Sequence, residues 1–290
     1  MNYADDWRFT GAGSQALYDL SRNNKPSPAL GEAITAICDL AASRGVRLCF
    51  DAEQQALQNG IFDWTVKYMR KYNKTTPGLA VVYCTYQAYL KVAPKILAEH
   101  LSIARKEGFT LGVKLVRGAY LASDPRHLIH DTKADTDACY DGMAESVIRK
   151  QYGAVLRPAP GEANQPFPSV CLVLACHNLA SVRKAEAIRH YQLLKGEPRI
   201  DMVHAQLQGM ADEVSCELVQ AARAAREAEK TTDVPQAYKY LVWGTTGECL
   251  KYLLRRAQEN RDAVQRTREG RNAMVGELAR RIKGVFRLGA

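Results

Sequence analysis

Tyr252, Arg255, Arg256 and Glu259 stand at i, i+3, i+4 and i+7, a spacing that gathers a phenol, two guanidinium groups and a carboxylate on one face of a helix. Neighbouring guanidiniums suit bidentate capture of a carboxylate. Leu250, Leu253, Leu254 and Ala257 recur on another face and form the expected core stripe. A solvated helix with a surface salt bridge would use the same residue types. Both arginines precede the glutamate, however, which is the less favourable order for helix support, and adjacent arginines repel one another. At this point both readings stand.

A second chemical feature lies in the run Leu111 to Val116. Read as a strand, it sends Val113 and Leu115 to one face and Lys114 and Val116 to the other. If the apolar pair packs on helices, Lys114 points into the interior, where an ammonium group without a partner is costly. Either a carboxylate such as Asp51 or an anionic, electron-rich ligand must meet it.

These residues need a scaffold, and the apolar periodicity supplies one. Strand-like runs are predicted at Val46 to Asp51, Leu79 to Cys84, Leu111 to Val116, Ser169 to Ala175, Ile200 to Ala205 and Tyr238 to Val242. Helical windows are predicted near 53 to 72, 87 to 107, 133 to 151, 178 to 192, 211 to 229 and 246 to 265. Alternating β and α units imply a parallel sheet. Polar residues follow the strand ends, Asp51 with Glu53, Arg117 with Tyr120 and His177 with Asn178, which suits the active face of a (β/α)8 barrel. No G-x-G-x-x-G or G-x-x-x-x-G-K-[ST] loop follows a strand, which argues against a nucleotide-binding open sheet. The proline-rich stretch Gly153 to Pro168 reads as a surface insertion in a single domain spanning 1–290.

With 290 residues and 47% hydrophobic content the chain can bury a sizeable core. Eight cysteines without a CxxC pair suit a reducing compartment. His100, His127, His130 and His190 lack metal-ligand spacing, and no metal site is expected. The net charge of +9 is concentrated late: residues 251–290 hold eleven Lys or Arg against four Asp or Glu. Within the basic segment 261–290, acidic residues interleave and aromatic residues are scarce. This composition argues against nucleic-acid binding and leaves a solvated helix face, with weak attraction to an acidic lipid surface second. No run approaches the roughly 20 apolar residues of a membrane helix, and the visible start Met1 to Trp7 resembles neither a secretory signal nor a transit peptide.

Eight segments in order, FTGAG at 9–13, FDAE at 50–53, TYQAYL at 85–90, KLVRGAY at 114–120, KADTDACY at 133–140, CHN at 176–178, QLQGM at 206–210 and YLLRRAQEN at 252–260, resemble proline dehydrogenase of the fungal mitochondrial type. The resemblance implies a distorted (β/α)8 barrel holding FAD. The implied reaction oxidises L-proline to Δ1-pyrroline-5-carboxylate by hydride transfer to the flavin, with quinone as electron acceptor and peripheral contact with the matrix side of the mitochondrial inner membrane. By the same resemblance Arg255 and Arg256 hold the proline carboxylate, and Tyr120, Leu207, Tyr240 and Tyr252 wall the pyrrolidine ring. Lys114 lies near the flavin, and Asp51 supports the arginine pair. Gln87, Arg117, Gly118, His177 and Asn178 contribute to the flavin cradle, while Glu259 braces the arginines and the cofactor.

Arg8 stands where family members carry Lys, Cys84 where they carry Asn or Gln, and Cys176 where they carry Thr or Ser. Each swap is expected to touch the cofactor cavity, with the thiols offering weaker hydrogen bonds. The resemblance also implies that a first strand, helical segments and a transit peptide precede this start, so that about seven of eight strands are expected. Alternatives are an inactive barrel without flavin, a hydroxyproline dehydrogenase, and a polyanion binder acting through 261–290.

Overall fold

The computed structural model describes residues 4–121, 123–227, 235–242, 244–259, 271 and 274–282; within these, the side chains of residues 4–7, 10, 251, 255, 256, 258 and 259 lie outside the described set. The chain divides into two compact units, Met1–His204 and Ala205–Ala290. The first contains β1 (Ala4–Trp7), α1 (Ser14–Ser21), α2 (Pro28–Arg44), β2 (Arg47–Phe50), α3 (Gln55–Tyr72), β3 (Val82–Gln87), α4 (Ala93–Glu107), β4 (Leu111–Val116), α5 (Lys133–Arg149), β5 (Val170–Ala175) and α6 (Leu179–Lys195). Strand β6 (Met202–Leu207) begins in the first unit and ends in the second, which continues with α7 (Asp212–Glu227), β7 (Gln236–Tyr240) and α8 (Thr246–Glu259).

Strands β1 to β5 pair in sequence order and all in parallel, as repeated βα units require. The helices carry local stop and start signals. Ser27 caps α2 ahead of Pro28, and Gly45 ends it in the left-handed conformation. Thr132 and Asp135 form a reciprocal capping box on α5, while the Asn178 side chain accepts from the Ala180 and Ser181 N–H groups at the head of α6.

Alternation along the strands separates two environments. Tyr86 on β3 faces the helices: its hydroxyl lies 2.7 Å from His100 Nδ1 on α4, and its ring stacks on Phe62 of α3 at 5.8 Å. Val113 and Leu115 are fully buried on the corresponding side of β4. The opposite faces carry two rows in register, Cys49, Tyr83, Gly112 and Cys171 nearer the strand starts and Thr85, Lys114 and Val173 nearer the ends. Gly112 is dictated by space, since a Cβ there would stand 2.3 Å from the Val82 carbonyl oxygen. Beside this lower row, Arg47 at the start of β2 donates twice from Nη2 to the Asp201 carboxylate, at 2.9 and 2.7 Å.

Several elements depart from the sequence reading, among them β6 and β7, which run two residues later and two residues earlier than predicted. Strand β3 runs three residues later than predicted, because its polar and aromatic residues bury as completely as the apolar run before it. Helix α4 starts at Ala93 rather than near 87 because Ala88 and Tyr89 N–H groups are taken by the Val116 and Arg117 carbonyls at 2.9 and 2.7 Å. The leucine stripe of α8, expected to be core, is exposed: Leu250, Leu253 and Leu254 are 59%, 55% and 62% accessible. The side of α8 bearing Tyr252 meets protein instead, with that ring 6.1 Å from Tyr240 of β7. The proline-rich insertion 153–168 is anchored by fully buried Leu156 and by Glu162, which accepts from Ser102 Oγ at 2.7 Å. Of the basic segment 261–290, only 271 and 274–282 are described, and they are helical. No helix among the described residues is long and apolar enough to cross a membrane.

Candidate functional site

The inward row of the first unit ends in a charge cluster. Lys114, on β4 and only 8% exposed, donates from Nζ to Asp51 Oδ1 at 2.9 Å, while Arg8, just beyond β1, donates from Nε to Asp51 Oδ2 at 3.1 Å. Asp51 directly follows β2, so parallel pairing brings three strand ends into one cluster. Burial by itself would raise the Asp51 pKa, but the Lys114 charge, then that of Arg8, and the hydrogen bonds from both bring it below the ordinary carboxylate value. Thr85, in register with Lys114, fixes the floor by donating its hydroxyl to the Phe50 carbonyl at 2.8 Å.

Around this cluster the strand-end loops are tied to one another. Gln87 uses both ends of its amide, donating to the Glu53 carbonyl at 3.3 Å and accepting from the Ala119 N–H at 3.4 Å. Gly118 has φ +138°, and a Cβ there would stand 2.2 Å from the Tyr89 ring, so the position requires glycine. Each guanidinium nitrogen of Arg117 has a protein partner: Nε donates to Asp137 at 2.7 Å, Nη1 to Cys176 Sγ at 2.9 Å and Nη2 to Ser181 Oγ at 2.7 Å. The same group lies over the Tyr140 ring at 4.2 Å. Cys176 also accepts from the Asn178 N–H at 3.2 Å, so this thiol does join the strand-end network, beside half-buried His177.

Cys84 does not. It alternates with Thr85 and shares the face of Tyr86, beside Thr65 of α3, where burial raises its pKa to about 12. Its expected place on the cofactor cavity is therefore corrected: the side chain belongs to the helix-packing layer, where a small apolar thiol fits better than an amide. Tyr120 is half-buried, and its carbonyl accepts from the Ser123 and Asp124 N–H groups at 3.0 and 2.9 Å. In the second unit Leu207 ends β6 and is half-buried, Gln208 N–H donates to the Tyr240 carbonyl at 3.1 Å, and Tyr240 lies beside Tyr252. The side chains of Arg255, Arg256 and Glu259 fall outside the described residues.

The sequence reading did not single out Tyr89, Asp124, Asp137 or Ser181 individually, although Tyr89 and Asp137 lie within its motifs. Asp124 sits in a loop without periodicity, and only a fold that returns this loop to α3 reveals its role. Two cationic donors, Lys114 and Arg8, converge on the one Asp51 carboxylate in this strand-end cluster. Such a donor set fits an electron-rich, anionic group such as a flavin. Among the described residues no group of three His, Cys, Asp or Glu could hold a metal ion.

Parallel strands joined by helices, with charged and polar side chains gathered after the strand ends, define an α/β protein of the TIM-barrel type with a polar cluster on its strand-end face. Solved structures of proline utilization A share this fold: the protein from Bdellovibrio bacteriovorus inactivated by N-propargylglycine aligns with a TM-score of 0.63 at 18% identity, covering 88% of this chain and 24% of that one. The family model described as proline dehydrogenase matches residues 4–269, and the chain belongs to this family. The probable mitochondrial proline dehydrogenase of Schizosaccharomyces pombe is 38% identical over 254 residues, 85% of this chain and 49% of that protein. Mitochondrial proline dehydrogenase 1 of Caenorhabditis elegans is 34% identical, covering 87% and 38% of the respective chains. Hydroxyproline dehydrogenase of Bos taurus is 32% identical, covering 84% and 49%. The chain thus spans about half the length, or less, of these curated relatives.

Proposed function

We propose that this chain carries the site of an FAD-dependent proline dehydrogenase that oxidises L-proline to Δ1-pyrroline-5-carboxylate. The observation that carries this reading is the part-buried cluster of Lys114, Asp51 and Arg8 at the strand ends, in a chain of this family. When bound, FAD supplies the acceptor for the hydride that leaves the ring carbon next to nitrogen. Lys114, Gln87, Gly118, Cys176, His177, Asn178 and Glu259 would hold it, and the Lys114 charge favours the electron-rich reduced form. Arg117 serves this cradle by locking the ends of β4 and β5 together.

Arg255 and Arg256 would clamp the substrate carboxylate, leaving Tyr120, Leu207, Tyr240 and Tyr252 to exclude water and orient the ring. Asp51 keeps its charge and holds Lys114 and Arg8 in place. Because neither cation readily accepts a proton near neutral pH, the substrate must present a neutral amine, and positioning with electrostatics does the remaining work. Electrons then pass to a quinone. The names of the relatives support a mitochondrial site of action, where peripheral contact with the inner membrane is part of this proposal. Purified protein of residues 1–290 should show a flavin absorbance band that bleaches on adding proline without oxygen; colourless protein, or a band indifferent to proline, refutes the reading. Relatives named hydroxyproline dehydrogenase match at similar identity, so the ratio of kcat/KM for proline to that for hydroxyproline decides the substrate. A ratio below one favours the second reading.

A further inference from the structure

Tyr89 and Asp124 form a buried pair that no step above uses. Tyr89 is 3% and Asp124 7% exposed. The phenol donates to Asp124 Oδ2 at 2.5 Å, and Asp124 Oδ1 accepts from the Gln55 N–H at 3.0 Å, at the positive end of α3. Asp124 thereby ties the loop after β4 to the head of a helix that precedes β3. Tyr89 is held just as firmly: its N–H donates to the Arg117 carbonyl at 2.7 Å and its carbonyl accepts from the His130 N–H at 2.9 Å. Its ring fills the space where Gly118 lacks a side chain. Burial and the carboxylate beside it push the phenol pKa upward, so the hydroxyl remains a donor.

The residues so bolted are Arg117 to Leu121 together with Ser123 and Asp124. It carries the Arg117 guanidinium, the Ala119 N–H that fixes Gln87, and Tyr120, whose carbonyl accepts from the Asp124 N–H. We propose that the Tyr89–Asp124 pair is a positioning device that sets the location of the Arg117–Tyr120 wall and, through it, the fit of the substrate. This rests on the proposed function for the identity of the substrate alone; the pair's hold on the loop is independent of it.

The test compares Tyr89→Phe, which keeps the ring against Gly118 and removes the donor, with Asp124→Asn, which keeps the shape and removes the charge. Tyr68→Phe, which removes a hydroxyl bonded to the Gly31 carbonyl, is the control. Amide hydrogen exchange across residues 117–124 should accelerate about tenfold in both clamp variants, as loss of a charge-assisted bond implies, and remain at the wild-type rate in the control. KM for proline, measured on the flavin-loaded fraction of each variant, should rise about fivefold, and the double variant should be no worse than the poorer single one. Wild-type exchange at 117–124 in either folded clamp variant, or equal acceleration in the control, overturns the proposal. A clamp variant that folds with accelerated exchange but an unaltered KM overturns its substrate arm. Should wild-type protein ignore proline, the functional reading fails, while the exchange comparison still decides the clamp.

Discussion

Replacing Asp51 by Asn removes one negative charge from between two buried or half-buried cations while keeping side-chain size. At an effective dielectric near 20, a charge pair 2.9 Å apart attracts by about 6 kcal/mol, and the Arg8 contact at 3.1 Å is of similar gross size. Desolvation offsets most of this attraction while the pair is intact. When one partner disappears the offset remains, and the net loss is about 3 kcal/mol or more. For a chain of this size that lowers Tm by roughly 6 to 12 °C. The effect also has a pH signature. The folded pKa of Asp51 lies below its ordinary value, so its stabilising contribution is complete above the unfolded value near 4 and is lost as pH falls through the lower folded value. Thermal and urea unfolding of wild type, Asp51→Asn, Lys114→Met and the double variant measure the terms. Asp51→Asn should be the least stable of the four at pH 7, with the double variant partly restored because the buried ammonium group is removed together with its carboxylate. A loss below about 1 kcal/mol, or strict additivity of the two changes, would refute the reasoning.

Three further outcomes follow from the same structure. His100 is buried against Tyr86, and burial together with the Arg70 charge lowers its pKa to about 4. The unfolded chain therefore binds the extra proton between about pH 6.5 and 4, and wild-type stability should fall across that window by up to about 3 kcal/mol, whereas the Tm of His100→Gln should depend on pH less steeply. Asp201→Ala removes the carboxylate that meets the nearly buried Arg47 guanidinium and should cost about 3 kcal/mol in urea unfolding, with Arg47→Met/Asp201→Ala recovering part of it. Gly112→Ala forces a methyl group against the Val82 carbonyl and should destabilise by about 2 to 3 kcal/mol, measurable by the same unfolding titration.

Much of this architecture is legible in the apolar rhythm. The predicted limits of β4, Leu111 to Val116, match the strand, and the inward direction of Lys114 follows from alternation alone. Its partner Asp51 was one of two open readings until the strand order placed them together. Helices α1 and α2 went unread: α2 presents only Ile34, Cys38 and Ala41 as buried positions, too sparse a stripe to stand out. The inward or outward sense of Cys84 could not be read from a motif, because a one-residue shift in the strand reverses every side chain. For α8 the apolar stripe suggested a core face, whereas Tyr252 makes the contact with β7 and the leucines remain exposed. Amphipathicity identifies a helix, but which side meets protein depends on neighbours that the pattern does not contain.

The bond between Arg47 and Asp201 joins residues 154 positions apart, whereas each parallel neighbour among the first five strands is also its neighbour in sequence. During synthesis the sheet can therefore grow one βα unit at a time as the chain leaves the ribosome. The guanidinium of Arg47 must wait, hydrated, until the carboxylate emerges long afterwards. Completion of this part of the molecule is thus a late event, with the newest strand always exposed as the growing edge.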